Sequence, residues 1–367
     1  MKSYTLKLSA FVACAILALI SFNCKDSVTD NPSDAFNRRA MLENVADNII
    51  IPSFVDLQTK VNALNNAVSA FVQSPNESTL LSARAAWEAA YLSWQYANGF
   101  NFGPAQTSTG TLFQKVGVFP VNVSQIETFI TNRTFNNDLS RNTRGFNAIE
   151  YLLYDLVSVS EVVGKFSNAD RRQYLQIITA ELKAHVDAVV SDWQTYRAQF
   201  VSNDGTDVGS STSMLFNEFV MNFESIKNFK LGVPLGRRPG QTQPEPTRVE
   251  AFYSGKSIRF MREHLKAVEE LYYGIGRNGV DGIGFVEYLQ SVPNGRALIT
   301  QTETQLAVVK QRLNALPIDA RLSDLIVTNF QLVDALHTEL QRHTRFFKSE
   351  MASLLSLTIT FSSGDGD

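Results

Sequence analysis

Asn147 and Glu150 stand three residues apart in the stretch TRGFNAIEYLLYD, residues 143–155. On a helix this spacing puts an amide and a carboxylate side by side on one face. Ile149, Leu152 and Leu153 face elsewhere and supply a packing surface. Gly145, just ahead, can break one element and start the next. Such a corner suits a metal ion or another ligand; the same pair also caps and solvates an ordinary helix start. Three more acids have comparable settings: Glu88 beside an aromatic seam, Glu127 in VSQIETFIT, and Glu250 after a Gly/Pro-rich segment. Carboxylates on facing helices are the usual way a bundle builds a hard-metal site. Glu88, Glu127, Glu150 and Glu250 are therefore the oxygen donors to follow.

Other chemistries find less support. His185, His264, His337 and His343 all fall in helical patterns. Glu339 and His343, four residues apart, could share a metal or simply form a solvated helix pair. There is no HExxH, GxSxG, P-loop or suitably flanked GxGxxG. Asp365 and Asp367 in the terminal GDGD lack the remaining ligands of a calcium loop.

The elements that must position these residues are helical. Apolar residues recur at spacings of three and four from Phe36 to Val72, with Pro52 expected to kink the run. A second helix covers 79–99 and carries Trp87, Tyr91 and Trp94 on one side. Residues 105–124 read as loop and 123–131 as a short helix. The 143–155 stretch then opens another. Asn168 caps a long amphipathic helix, and 213–231 returns to helix. GVPLGRRPGQTQPEP, residues 232–246, is the clearest break in composition and marks a long connection or domain junction. Helical patterns resume over 248–274, 285–289, 294–315 and 318–355, and the LTITF near the end has β-like character. The expected fold is all-α: two up-and-down bundles, residues 35–231 and 247–367, joined by 232–246.

Composition fits a packed protein. Of 367 residues, 44% are hydrophobic and 19% charged, so wholesale disorder is excluded. The net charge is −3, and no basic stripe suggests nucleic acid. Lys2 and Lys7 precede an apolar run from Leu8 to Phe22, too short to span a membrane well, and Cys24 follows directly. This pattern resembles a bacterial lipoprotein signal, residues 1–23, with Cys24 as the lipid attachment point and 24–34 as a tether; an ordinary secretory signal is the alternative. Removing 1–23 takes two lysines and no acid, leaving −5. Cys14 goes with the signal, so no disulfide within the mature chain is possible.

Several stretches in order resemble the imelysin family. They are AAWEAAYLSWQYANGFNFGP (85–104), VFPVNVSQIETFI (118–130), GFNAIEYLLYD (145–155), VEAFYSGKS (249–257) and LLSLTITFSSGDGD (354–367). The resemblance implies two helical-bundle domains related by pseudo-symmetry, a site in the cleft between them, an envelope location and a link to iron acquisition. The family signature GxHxxE maps to Gly145, Asn147 and Glu150, so Asn147 stands where the family has histidine. The family's Asp-Glu pair maps to Asn122 and Val123, and a nearby acid is kept as Glu127. In the second half the matching segment holds Glu250 and Ser254. Asn offers only a weak carbonyl oxygen where imidazole would bind a borderline cation firmly. A divalent metal or iron cofactor is correspondingly weakened.

The expectation is a lipid-anchored protein of the bacterial cell envelope, on the periplasmic or surface side of the outer membrane. It would act as a non-enzymatic ligand- or metal-binding component linked to iron or haem uptake proteins. A metallopeptidase using Glu150 is the first alternative. A surface scaffold without a small ligand is the second.

Overall fold

Between Leu42 and Phe71 the apolar side chains expected to face inward are all buried. A computed structural model describes residues 36–135 and 141–361. The signal, Cys24, the tether and the GDGD terminus lie outside the described residues. Helix α1 (Arg38–Asn44) continues through a π-helical turn, Val45–Ile50, into α2 (Ile51–Gln73). Pro52 sits in the first turn of α2. Its ring and missing N–H disrupt the ladder toward residue 48, and the wide turn absorbs this. The Asn48 carbonyl instead accepts the Arg277 N–H at 2.7 Å.

An Asn76 capping box starts α3 (Glu77–Ala97). The segment expected as loop contains α4 (Leu112–Val116) and, before it, the tight hairpin Gln106–Thr107/Gly110–Thr111, the sole strand pair among the described residues. Then come α5 (Val123–Asn132), α6 (Gly145–Tyr154), α7 (Val159–Lys165) and α8 (Ala169–Ser202), the last capped by Asn168 as expected. Helices α2, α3, α6 and α8 pack on one another as the first bundle.

Helix α9 (Ser211–Ser225) runs through a second π-helical turn, Ile226–Gly232. The second bundle adds α10 (Ser257–Tyr273), α11 (Phe285–Gln290), α12 (Gly295–Asn314), α13 (Leu322–Thr328) and α14 (Phe330–Arg345). A third π turn, Phe346–Glu350, leads into α15 (Met351–Leu355). Phe219 of α9 packs on Tyr272, Phe285 and Phe347, so α9 belongs to the second bundle. The 232–246 connection folds back on α14, where Arg237 grips Asp334 through two 2.8 Å bonds.

Three other expectations change. The helix expected from Arg248 begins at Ser257, because Ala251 and Gly255 hold positive φ in an intervening turn. The long run 318–355 is interrupted at Asn329. The LTITF segment forms no strand over its described residues; its backbone pairs with a side chain, as Asn217 donates to the Thr358 carbonyl and accepts from Thr360 N–H.

The two bundles meet where α3 packs against α10. Phe260 meets the rings of Trp87 and Tyr91 edge-on, at 5.8 and 4.7 Å between centroids.

Candidate functional site

Helix α6 enters the protein through a position only glycine fits well. Gly145 has φ +72°, and a Cβ there would lie 2.4 Å from the Val116 carbonyl oxygen. The strand of chain around it is held by hydrogen bonds: Tyr174 Oη to the Thr143 carbonyl at 2.6 Å and Trp87 Nε1 to the Phe146 carbonyl at 2.8 Å. Everything from Gly145 to Leu153 is buried. Asn147 is 3% and Glu150 1% exposed, so neither solvates a helix start.

The turn at 249–255 comes from the second bundle to meet them. Arg321 donates to the Phe252 and Tyr253 carbonyls, and Ser257 Oγ donates to the Glu250 carbonyl. With these oxygens occupied, the Ser254 N–H is left to donate to Glu150 Oε1 at 2.7 Å. Burial raises the Glu150 pKa to about 7; the Ser254 hydrogen bonds oppose the shift, Glu250 adds to it and Arg321 opposes it. Glu150 is thus a carboxyl that changes charge near neutrality.

Beside it runs a chain of polar contacts. Asn147 Nδ2 donates to Tyr91 Oη at 3.2 Å, and Tyr91 Oη donates to Glu250 Oε1 at 2.9 Å. Lys230 Nζ lies 2.9 Å from Glu250 Oε2 and donates to Gln95 Oε1 at 2.6 Å. Burial, then Glu250, pushes the Tyr91 phenol well up, so it remains a neutral donor. Burial pulls the Lys230 pKa down and Glu250 resists that pull. Lys230 reaches this position from the π turn after α9. The remaining acceptor of Asn147, Oδ1, is buried without a hydrogen-bond partner. Asn147 and Glu150 line a cavity of about 250 Å³, with Phe119, Pro120, Phe252 and Tyr253 among its walls.

Four expected site residues therefore come together: Asn147, Glu150, Glu250 and Ser254. Three do not. Glu88 pairs with Arg259 at 2.7 Å and Lys256 at 3.9 Å on the flank of the α3–α10 contact. Glu127 is bound by Tyr151 Oη and Arg171, both at 2.7 Å, with its side chain 42% exposed. Asn122 caps α5 by accepting from Gln125 N–H. Glu339 and His343 share no ligand corner either: Glu339 accepts from Gln305 and Arg342, and His343 sits among Phe223, Phe346 and Phe347. Tyr91, Lys230 and Arg321 were hidden to sequence reasoning. Tyr91 reads as part of an aromatic core seam. The signal for Lys230 is a lysine inside the otherwise apolar FKLG.

These donors do not fit a divalent metal. One Glu250 oxygen faces the Lys230 ammonium and the other accepts from Tyr91, while Glu150 holds a proton up to about pH 7. Among the described residues no group of three or more His, Cys, Asp or Glu could hold a metal ion. An orphan amide oxygen and a titratable carboxyl thus belong to two residues that line one small cavity, a pattern suited to hydrogen bonding.

Known proteins share this architecture. An imelysin-like protein from Psychrobacter arcticum 273-4 superposes with a TM-score of 0.71 over 88% of this chain and 97% of its own, at 19% identity. A protein described as an iron-regulated protein A precursor, from Parabacteroides distasonis ATCC 8503, gives 0.69 over 86% and 95%, at 16% identity. Iron-regulated protein A of Synechococcus elongatus is 25% identical over 287 residues, 75% of each chain. The imelysin family model spans residues 50–343, well over half the sequence, and the chain belongs to the imelysin family.

Proposed function

We propose that this protein is a non-enzymatic binding component of the cell envelope, linked to iron acquisition, that takes a small hydrogen-bonding ligand between its two bundles. The observation that carries the reading is the orphan Asn147 Oδ1 beside the buried Glu150 carboxyl on one cavity wall. A buried acceptor without a donor costs about 1–3 kcal/mol, which a ligand N–H or O–H recovers. The cavity, at about 250 Å³, is smaller than the roughly 300–1,000 Å³ that hold drug-sized molecules. It suits a small ligand and not a porphyrin. The link to iron rests on the printed names of the relatives.

The test is to recover the protein from iron-limited and iron-replete cells and examine it by native mass spectrometry. The expected result is more protein under limitation and a small co-purifying ligand that Asn147→Leu loses. Unchanged abundance together with identical, ligand-free spectra would sink the reading. Titration calorimetry with ferrous, ferric and zinc salts and with haem should show no tight binding in the cleft.

Anchoring through Cys24 belongs to the same proposal, supported by the basic, apolar and cysteine order at the N-terminus. Among the described residues no helix is long and apolar enough to cross a membrane. Cys24→Ala should move the protein from the membrane to the soluble fraction; retention in the membrane would refute the lipid anchor.

One observation favours a second reading. A carboxyl that titrates near 7 is suited to general-base work, and the family carries a peptidase designation. Incubation with an unfolded protein substrate decides between the two. Cleavage that persists in the wild type and vanishes in Glu150→Ala would establish the peptidase; no cleavage by either is the expected outcome.

A further inference from the structure

A second cavity, of about 280 Å³, lies on the other side of Phe119 and of the Lys230–Glu250 pair. Its apolar wall is aromatic and soft: Trp94, Phe113, Phe119, Met221 and Phe229. Its polar wall carries the Glu218 carboxyl and the His264 imidazole. His264 is 1% exposed and its Nε2 bonds to Asn222 Oδ1. With the Asn222 amide oxygen turned to Nε2, the ring is assigned the Nε2–H tautomer, which leaves the lone pair on Nδ1. That Nδ1 is buried with no partner. Burial and the nearby Lys230 hold the His264 pKa well down, so the ring stays neutral and Nδ1 remains an acceptor. Glu218, on the same wall, accepts the Asn101 N–H at a long 3.4 Å. Burial lifts its pKa to about 7, against the opposing Asn101 bonds. The Lys230 ammonium, also on the wall, is committed to Glu250 and Gln95. Lys230 and Glu250 offset each other, and an ionised Glu218 leaves the lining with one net negative charge.

We propose that this cavity is a second ligand site, distinct from the Asn147–Glu150 cavity, for a small organic ammonium ion. Its apolar body lies against Trp94, Phe113 and Phe119, and its N–H groups reach the Glu218 carboxylate. An ammonium supplies the counter-charge and the N–H donors that the Glu218 carboxylate can take, and aromatic faces attract a cation. An anion would meet the like charge of the Glu218 carboxylate. A neutral alcohol of the same shape would satisfy one acceptor but leave the carboxylate without a counter-charge.

Titration calorimetry of the whole protein with 2-phenylethylamine, 2-phenylethanol and phenylacetate tests the site. The amine should bind at least tenfold more tightly than the alcohol at pH 8, and phenylacetate should not bind. Because Glu218 must give up its proton to pair with the ammonium, amine affinity should rise between pH 6 and 8. At pH 6.5, titrations in two buffers of different ionisation enthalpy should show a proton released on binding. Glu218→Gln should lower amine affinity at least tenfold and remove both the pH slope and the proton release. The proposal fails if the amine does not bind, if alcohol or phenylacetate matches it, or if Glu218→Gln leaves affinity unchanged. The proton-release measurement needs only the wild type, so an unstable variant does not rescue the idea: binding without release also overturns it.

Discussion

A carboxyl group with an ordinary pKa of 4.5 is charged across the physiological range, but Glu150 keeps its proton to about pH 7 because burial outweighs its bonds from Ser254. The folded state therefore holds this proton more firmly than the unfolded chain. Its contribution to stability is full below about 4.5 and declines as pH rises toward 7, by roughly 3 kcal/mol in total. Buried His343 and His337, with pKa values lowered to about 3 and about 4, work in the opposite sense and cost stability as pH falls below 6.5. A difference measurement isolates Glu150. Glu150→Gln, which keeps an acceptor for Ser254 N–H, should gain on the wild type by roughly 3 kcal/mol between pH 4.5 and 7.5 in urea unfolding. A constant difference across that range would show that Glu150 is not protonated in the folded protein. Lys230 offers a second test at this scale. Lys230→Met should cost about 3–5 kcal/mol, since it strands the Glu250 carboxylate in the interior, and adding Glu250→Gln should restore most of it.

At the scale of elements, three devices aim these side chains. The backbone of Gly145 passes so close to Val116 that α6 can start only with its first turns buried. Gly145→Ala meets both a left-handed φ and a backbone oxygen, so it should destabilise the fold by about 2–4 kcal/mol. Thermal unfolding would reveal it, and a neutral result would mean α6 can shift away from Val116. The π turn at Ile226–Gly232 carries Lys230 into the interior. The 249–255 turn depends on Arg321, which ties down two of its carbonyls. Arg321→Ala should loosen this turn and, by removing a nearby positive charge, raise the Glu150 pKa further above 7. Carboxyl chemical shifts across a pH titration would report this; a lowered value would contradict it.

At the scale of the molecule, the network is formed by both bundles. Asn147, Glu150, Tyr91 and Gln95 come from the first, while Lys230, Glu250 and Ser254 come from α9's extension and the turn before α10. The α3–α10 contact holds the halves in register, with Phe260 against Trp87 and Tyr91. Phe260→Ala should cost about 3–5 kcal/mol. It should also weaken ligand retention in the Asn147–Glu150 cavity, because Tyr91 loses a ring that fixes its hydroxyl. Full ligand retention in that variant would show that the network does not rely on the contact.

Helical periodicity alone was enough to establish an all-α protein, because an apolar stripe every three or four residues has one economical way to be buried. The order of its motifs likewise marked the family, with GFNAIE at the buried start of α6. The carboxylates were another matter. Glu88, Glu127, Glu150 and Glu250 look alike in sequence, each an acid near aromatic or Gly/Pro-bounded chain. Only the packing separated them: two, partly exposed, pair with Arg, Lys or Tyr side chains, and two are enclosed at the junction of the bundles. Whether an acid ends in water or in the interior depends on what distant segments bring to it. Lys230 is 20 residues from Glu250 along the chain, and Ser254 lies 104 residues from Glu150. The sequence by itself determined the helical class and the family; the tertiary structure alone decided which acid is paired, which has its pKa raised and which faces a cavity, since burial and partner distance are properties of the fold.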